Sequence, residues 1–295
     1  MNQSIAVPIR NLPEEFTKSI HDHMRLYSVT MLMAENIEDV TVTPCSGTLC
    51  SYDSKAGIVT ARHVWEEARK HKSLIVMTDR GPLALKTEKL VPAVPQPRSV
   101  LANTAARIPD IAFLYLDPKQ KSEIEGLGKV FYSIAKRANS PHLDVQTAAG
   151  YWTIIGNPKA LLNIEERAVP SFIYGTEVAH FCQEDGWDYL LVNLNIPENP
   201  GIPKNFGGVS GGGVWRTMWG VDSDQTCFRV SNLIDDCLLV EMSFYQTGGD
   251  GSQLIAHGPN SIYNRLPAFL QEPAHNNWLE KDARYTRISQ PGRYA

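Results

Sequence analysis

The chain lacks the sequence features of membrane, secreted and nucleic-acid-binding proteins. No run of about 18 apolar residues occurs, and residues 1–15 contain no apolar core of signal-peptide length. Basic residues are not in excess, since 28 Lys and Arg stand against 32 Asp and Glu for a formal net charge of -4. The field that holds nucleic acid non-specifically is therefore missing. We expect a soluble, cytoplasmic protein with no nucleic acid and no membrane as partner.

Cysteine is scarce and unpatterned. The five cysteines are an odd number and do not have metal-ligand spacing. In a chain with no export signal this indicates reduced, packed thiols, and a small disulfide loop between Cys45 and Cys50 is the alternative. We expect no metal and no cofactor. The five are Cys45, Cys50, Cys182, Cys227 and Cys237.

The composition supports a substantial core, because 43% of the 295 residues are hydrophobic. Helical periodicity covers 13–27, and a closing helix is predicted at 261–270. Between them, β-rich runs recur about every 8 to 12 residues, which favours an all-β sandwich or barrels over alternating strands and helices. A polar segment at 136–144 separates two halves of this β region. The predicted strands include 29–33, 40–49, 57–61, 83–90, 111–116, 151–155, 214–219, 238–245 and 253–257.

Three motifs, containing a histidine, an aspartate and a serine, stand in an order that suggests a single catalytic site. Residues 60–63 read Thr-Ala-Arg-His and end an apolar run at His63. Asp110 stands at the start of the apolar strand that follows. It is the candidate for a catalytic aspartate, and Asp144 is the alternative. Residues 207–213 read Gly-Gly-Val-Ser-Gly-Gly-Gly around Ser210. Glycines next to a serine let the backbone turn tightly and aim amide hydrogens at an oxyanion.

The serine motif also matches the G-x-S-x-G nucleophile elbow of α/β-hydrolases, in which case the protein would be an esterase. That elbow needs a strand before the serine and a helix after it. The proline-rich approach at 197–203 and the Gly-Gly-Gly-Val-Trp exit fit neither. An elbow would also need its acid and base after Ser210, for which Asp235 or Asp250 with His257 are the candidates.

The three motifs and their order resemble the chymotrypsin-like, or trypsin-like, serine peptidase family, most nearly its intracellular bacterial members. The run Cys-Ser-Gly-Thr-Leu at 45–49 resembles that family's strand before the histidine loop. The resemblance implies a mainly β fold of two six-stranded antiparallel β-barrels with an N-terminal helix and a C-terminal helix plus tail. The expected domains are an N-terminal helical extension, a first barrel carrying His63 and Asp110, a second barrel carrying Ser210 and a C-terminal tail, at 1–35, 36–140, 141–271 and 272–295.

Roles follow from the chemistry of a hydroxyl nucleophile. Serine attacks at neutral pH only when a base removes its proton, and His63 is the candidate base and later acid. Asp110 would hold the imidazole in the right tautomer. The amides of Gly208 and Ser210 would form the oxyanion hole. The resemblance further implies that Ser243 hydrogen-bonds the triad aspartate and starts the strand that pairs with substrate.

The sequence also departs from the family pattern. Val209 stands where secreted members carry the aspartate that pairs with a new N-terminus, so zymogen activation should be absent. Lys204 stands where trypsin carries an acidic residue, so cleavage after Arg or Lys is not expected. Tyr245 would narrow the pocket mouth, and Lys204 or His257 would favour an acidic substrate side chain.

We expect an intracellular serine endopeptidase with a protein or peptide substrate and narrow specificity. A catalytically silent peptide-binding or scaffolding protein with the same fold is the alternative. An unrestrained cytosolic peptidase would damage its host, so we also expect a control device, such as a regulatory protein partner or a contact made by the N-terminal helix or the tail.

Overall fold

The structure is a computed structural model that describes residues 12–35, 44–95, 109–143, 150–159, 172–175, 177–193, 206–221, 228–230, 232–247 and 253–272. Two antiparallel sheets dominate this part of the chain. Lys204, Asp144, Asp250, Cys227 and the tail from 273 onward lie outside the described residues, so the expectations placed on them stay predictions.

The first sheet runs in the order β5-β4-β1-β2-β3-β7-β6, and a short eighth strand pairs with β2 in parallel. Its first strand lies inside the 1–35 segment expected as a helical extension; in the structure it pairs with strands on both sides. The strands are β1 (Ser28–Ala34), β2 (Pro44–Tyr52), β3 (Lys55–Thr60), β4 (Ser73–Thr78), β5 (Gly81–Lys86), β6 (Val91–Ala93), β7 (Ala112–Leu116) and β8 (Tyr132–Ser133).

Among the described residues, the second sheet has seven strands in the order β10-β9-β13-β16-β17-β12-β11, and every pair in it is antiparallel. A two-stranded ribbon, β14 with β15, lies outside it. The strands are β9 (Tyr151–Gly156), β10 (Phe172–Gly175), β11 (Glu177–Glu184), β12 (Trp187–Asn193), β13 (Gly213–Thr217), β14 (Gly220–Val221), β15 (Phe228–Arg229), β16 (Cys237–Thr247) and β17 (Gln253–His257).

Short helices flank and connect the sheets. The first of them buries Ile20 and Met24 one turn apart, as the sequence periodicity predicts. The third, which the periodicity does not predict, begins at a capping box in which Asp117 and Gln120 satisfy each other's main-chain amides. The helices are α1 (Glu14–Arg25), α2 (Arg62–Ala68), α3 (Pro118–Gly126), α4 (Ile134–Arg137), α5 (Leu233–Asp236) and α6 (Leu266–Gln271), which follows a π-helical turn at Ser261–Arg265.

The largest apolar cluster joins the two sheets. Trp215 of β13 is fully buried, and its ring lies 5.4 Å from that of Tyr27 and 5.2 Å from that of Tyr132 on the first-sheet side. Ile20 and Met24 of α1 belong to the same cluster. Burial of large aromatic rings contributes several kcal/mol of transfer free energy per cluster, on the order of 2 kcal/mol per side chain. This core therefore holds the sheets together and docks α1.

All described thiols are free. Cys45 and Cys50 are both buried, and the Cys45 thiol donates to the main-chain oxygen of Met31 instead of forming the small disulfide loop. Burial raises the pKa of the Cys45 thiol to about 12, so it stays protonated and unreactive. No helix in the described ranges is long and apolar enough to cross a bilayer.

One buried acid makes stability depend on pH. Glu241 on β16 has no exposed surface, and neither of its carboxylate oxygens has a hydrogen-bond partner among the described residues. Burial, and then the charge of Asp188, raise its pKa well above the ordinary 4.5. The folded state therefore binds a proton that the unfolded chain releases, and stability falls as pH rises above that ordinary value.

We expect Glu241→Gln to remove this loss. The free energy of unfolding, measured by urea denaturation, should rise relative to wild type as the pH is raised from about 4 to about 8, because an amide needs no proton to stay neutral. Glu88→Gln, at an exposed site on the first-sheet side, is the control and should leave the difference flat. A flat difference for Glu241→Gln itself would contradict the prediction.

Candidate active site

His63 and Asp110 are brought together by the pairing of two strands. In the β3–β7 ladder, Thr60 is the partner of Ala112. Because the strands are antiparallel, the chain after Thr60 and the chain before Ala112 leave the sheet at the same end. His63 lies in the first turn of α2 just beyond Thr60, and Asp110 lies two residues before Ala112. The two side chains therefore meet at one edge.

Asp110 holds His63 through two hydrogen bonds. The ring Nδ1 of His63 lies 2.6 Å from Oδ2 of Asp110, and the main-chain N of His63 lies 2.9 Å from Oδ1. Asp110 can only accept when it is ionised, so Nδ1 carries the hydrogen and Nε2 has the free lone pair. The imidazole therefore has the tautomer that a general base needs.

The pKa of Asp110 lies below its usual value. Burial raises it, but the hydrogen bond from the His63 ring, together with the charge and the main-chain amide of His63, outweighs that burial. The carboxylate consequently stays ionised at neutral pH. Protonation in acid would remove the acceptor that holds the ring, so the pair is intact above the pKa of Asp110 and is lost below it.

The serine loop, residues 206–212 immediately before β13 of the second sheet, reaches across to the same edge. The carbonyl of Ser210 accepts a hydrogen bond from the main-chain N of Ser46 on β2, at 3.2 Å. A Cβ on Gly211 would lie 2.2 Å from Ser46 O and 2.2 Å from Thr60 Oγ1, and the φ of Gly211 is +87°. Only glycine allows this close approach. Ser210 is thus held beside the end of β3, three residues before His63.

The Ser210 hydroxyl donates a hydrogen bond to a main-chain carbonyl in this conformation. Its Oγ donates to the oxygen of Phe244 on β16 at 3.1 Å, and it does not donate to His63. Transfer of its proton to His63 would require the hydroxyl to leave Phe244, and a serine side chain has other staggered positions about its Cα–Cβ bond. In this conformation the hydroxyl is therefore directed at β16 and not at the histidine.

The two amides of the predicted oxyanion hole are aimed away from their own loop contacts. Lys159 N donates to Gly207 O at 2.6 Å, and Gly212 N donates to Val209 O at 2.7 Å. In a trans peptide the N–H points opposite to the carbonyl, so the amides of Gly208 and Ser210 point away from these partners. Within the described part of the chain, neither amide donates to a protein acceptor. Both remain available to a ligand.

The Ser243 hydroxyl does not hydrogen-bond to Asp110 as the resemblance implies. Its hydroxyl donates to Val209 O at 3.0 Å and to Gly212 O at 2.9 Å, both in the serine loop. The next residue, Phe244, is the one that contacts Ser210, through its main-chain carbonyl. A register shift between Ser243 and Tyr245 makes the alternation of faces along this strand hard to place from sequence. Ser243 therefore supports the loop and not the aspartate.

His257 lies behind Asp110 and has no exposed surface. Its ring packs 4.6 Å from the ring of Phe244 and 5.0 Å from that of Tyr189. Burial lowers its pKa to about 3, although the charge and the main-chain carbonyl of Asp110 act in the opposite direction. Neither ring nitrogen makes a well-formed hydrogen bond to a described residue. His257 is thus a neutral ring that adjoins the site through Phe244 and Asp110, and a substrate does not reach it in this conformation.

Tyr245 is the exposed member of the predicted set. Its side chain is 61% exposed on β16, directly after the residue whose carbonyl holds the Ser210 hydroxyl. A position of this kind can contact a bound peptide. The sequence does not identify two other groups that contact Ser210, the Phe244 carbonyl and Ser46. It does predict the strand that contains Ser46.

The nucleophile-elbow alternative is wrong. Strand β13 follows Ser210, where an elbow requires a helix. Asp235, one of its candidate acids, lies in α5 and accepts a hydrogen bond from the side chain of Asn232 at 2.6 Å. His257, its candidate base, is buried on the Asp110 side. The described residues after Ser210 thus do not form a second acid–base pair.

Comparison with known proteins adds the fold. No family model and no curated protein sequence matches the chain. An inactivated protease paralogue of the scabies mite is a structural neighbour with a TM-score of 0.50 and 12% identity, over 85% of this chain and 96% of that one. A thermostable serine protease from an extremophilic microorganism has a TM-score of 0.47 and 12% identity, over 83% and 99%. The protease Anisep from Arthrobacter nicotinovorans has a TM-score of 0.44 and 14% identity, over 82% of this chain and 95% of that one.

These identities are low, so the likeness concerns the fold. The two mainly antiparallel sheets and the helices near both ends agree with the predicted architecture, although the described residues form sheets of eight and seven strands and not of six each. The chain has the mainly β, two-barrel fold of the chymotrypsin-like serine proteases.

Proposed function

We propose that the protein is an intracellular serine endopeptidase that hydrolyses peptide bonds through an acyl-enzyme on Ser210. The observation that carries the proposal is the His63–Asp110 pair, with its 2.6 Å ring contact, at the edge where the serine loop is docked. A histidine held in this tautomer, at the same edge as a serine loop whose Gly208 and Ser210 amides have no acceptor among the described residues, is suited to acyl transfer.

Each residue has a defined part in that reaction. Nε2 of His63 takes the Ser210 proton as Oγ attacks the substrate carbonyl, and it then gives the proton to the leaving amine. Asp110 stabilises the imidazolium that forms. The amides of Gly208 and Ser210 bind the developing oxyanion, a contribution of about 3 to 4 kcal/mol for each donor. Water, activated by the same imidazole, then hydrolyses the acyl-enzyme.

The reaction as proposed uses no metal or cofactor, and activation requires no cleavage of the chain. Val209, at the position of the zymogen aspartate in the resembled family, is 1% exposed and packs with Phe206 and Ile154. Burial of this side chain would hold the loop by apolar contacts in place of an ion pair. We propose that Tyr245 narrows the approach and that Lys204 favours an acidic side chain at the cleavage site.

A fluorophosphonate probe tests the activity without knowledge of the substrate. We expect wild-type protein to be labelled at Ser210, as located by peptide mass spectrometry, and we expect Ser210→Ala and His63→Ala to lose the label. Ser140→Ala, at a turn serine outside the site, is the control and should label normally. If wild type is never labelled at Ser210 under any buffer or partner condition, the enzymatic proposal fails.

A catalytically silent peptide-binding protein is the second candidate. It is favoured by the bond from the Ser210 hydroxyl to Phe244, since this bond directs the nucleophile away from the base. A protein of this kind would bind peptides equally well as wild type and as Ser210→Ala, and neither form would be labelled. Labelling of wild type alone would exclude it.

A further inference from the structure

Ser46 is a first-sheet residue that makes three hydrogen bonds to the second sheet and its serine loop. It lies on β2 and is 1% exposed. Its hydroxyl donates to Gly208 O at 2.7 Å and accepts from Asn157 N at 2.9 Å. Its main-chain N donates to Ser210 O at 3.2 Å. One residue of the first sheet thus contacts both residues whose amides would bind an oxyanion.

The hydrogen bond from the Ser46 hydroxyl restrains Gly208, a residue of the serine loop with a freely rotating backbone. The φ of Gly208 is +97°, and a Cβ there would lie 2.5 Å from Asn157 O, so the position accepts only glycine. Glycine has no side chain to restrict its own rotation. The peptide before it is held by the bond from Lys159 N to Gly207 O, and the peptide after it by the Ser46 hydroxyl. The peptide plane that contains the Gly208 N–H and the plane that follows it are therefore both held from outside, so the backbone of Gly208 is restrained on each side.

Ser46 is in turn held by its own sheet. Thr60 Oγ1 donates to Ser46 O at 2.8 Å, and Thr60 ends the strand that leads to His63. Ser46 and Thr60 therefore link the serine loop of the second sheet to the strand of the first sheet that leads to His63. A donor that is fixed before reaction stabilises the oxyanion without the cost of reorganisation.

We propose that Ser46 is a positioning residue for oxyanion stabilisation: its hydroxyl holds Gly208 in the conformation that directs its amide at the oxyanion. Without the hydroxyl, Gly208 O and Asn157 N lose a buried partner and Gly208 regains its rotational freedom. The proposal rests on the proposed peptidase function, because the oxyanion forms only in that reaction. The hold on Gly208 is nevertheless measurable without catalysis.

The kinetic test uses the fluorophosphonate, whose tetrahedral adduct on Ser210 places an oxygen where the oxyanion would lie. We expect Ser46→Ala to reduce the labelling rate constant at saturating probe by about 10- to 100-fold, less than loss of a whole donor. The pH dependence of that rate should be unchanged, since His63 and Asp110 are untouched. Ser46→Thr keeps a hydroxyl and should recover most of the rate.

Ser261→Ala is the matched control for loss of a buried hydroxyl. Ser261 has no exposed surface, and its Oγ donates to Asp188 Oδ1 at 2.6 Å. This variant should lower the unfolding midpoint at least as much as Ser46→Ala and should keep the wild-type labelling rate. If Ser46→Ala is labelled at the wild-type rate, or if both variants slow equally, the positioning role is overturned.

The second measurement separates this proposal from the proposed function. In protein labelled with ¹⁵N-glycine, relaxation of the Gly208 amide should show an ordered backbone in wild type and in Ser261→Ala, and larger fast motion in Ser46→Ala. A wild type that is never labelled, with Gly208 loosened in Ser46→Ala, would end the peptidase function but leave the hold on Gly208. Unchanged Gly208 motion in Ser46→Ala would overturn the role of Ser46 itself.

Discussion

Asp110→Asn is expected to slow acylation of Ser210 by about 10⁴-fold with little change in fold. The carboxylate accepts from both Nδ1 and the main-chain N of His63. An amide of the same shape can accept at only one atom and presents a donor at the other. If the donor faces the ring, the hydrogen moves to Nε2, and the lone pair that should remove the serine proton is lost.

The measurement is the fluorophosphonate labelling rate, together with thermal unfolding to verify the fold. Asp117→Asn is the matched control, because its carboxylate also accepts a main-chain amide, from Gln120 at 2.8 Å, but caps α3 outside the site. Asparagine caps helices as well as aspartate does, so this control should change neither quantity. A labelling rate for Asp110→Asn within about ten-fold of wild type would contradict the assigned role.

Gly211→Ala is expected to cost about 3 to 5 kcal/mol of unfolding free energy, from an unfavourable positive φ and from overpacking. The new Cβ would meet Ser46 O and Thr60 Oγ1 at 2.2 Å each, far inside contact distance. Relief requires the serine loop to move away from β2 and β3. The bond from Ser46 N to Ser210 O would break, so labelling at Ser210 should fall together with stability.

Urea denaturation measures this cost, and Gly126→Ala is its control. Gly126 ends α3, a Cβ added there would meet nothing within 4 Å, and its φ is not in the left-handed region. Alanine at this position should be neutral or stabilising by about 0.5 to 1 kcal/mol, because it restricts the unfolded chain and suits a helix. A Gly211→Ala protein as stable as wild type would show that the docking of the two sheets is looser than the distances indicate.

Several elements can be predicted because their signals are local. Periodicity of three and four residues identifies α1, and β-rich runs identify the strands that carry the site. The prediction of one strand over 83–90 is wrong at its end, because β5 stops at Lys86 and a 3-10 turn follows. Helix α3 is missed as well, although Asp117 and Pro118 are residues of the kind that start helices.

The assignment of Ser243 illustrates a limit of local reasoning. Along an ideal strand, alternate residues share a face, and a resemblance can be extended by counting. The bulge near this position changes the count, so the hydroxyl faces the serine loop and the carbonyl of Phe244 faces Ser210. Bulges depend on the partner strand, which the sequence of one strand does not contain.

The sequence by itself determined the mainly β fold class and the order of His63, Asp110 and Ser210 along the chain. It also determined the glycines that let the serine loop turn. These features depend on residue type and on near neighbours in the sequence. The tertiary structure alone decided which distant groups meet: Ser46 with Gly208, Phe244 with the Ser210 hydroxyl, and His257 with Asp110. These contacts join residues separated by up to 162 positions. Their geometry is set by how two sheets dock, which is a property of the packed molecule and not of any segment of it.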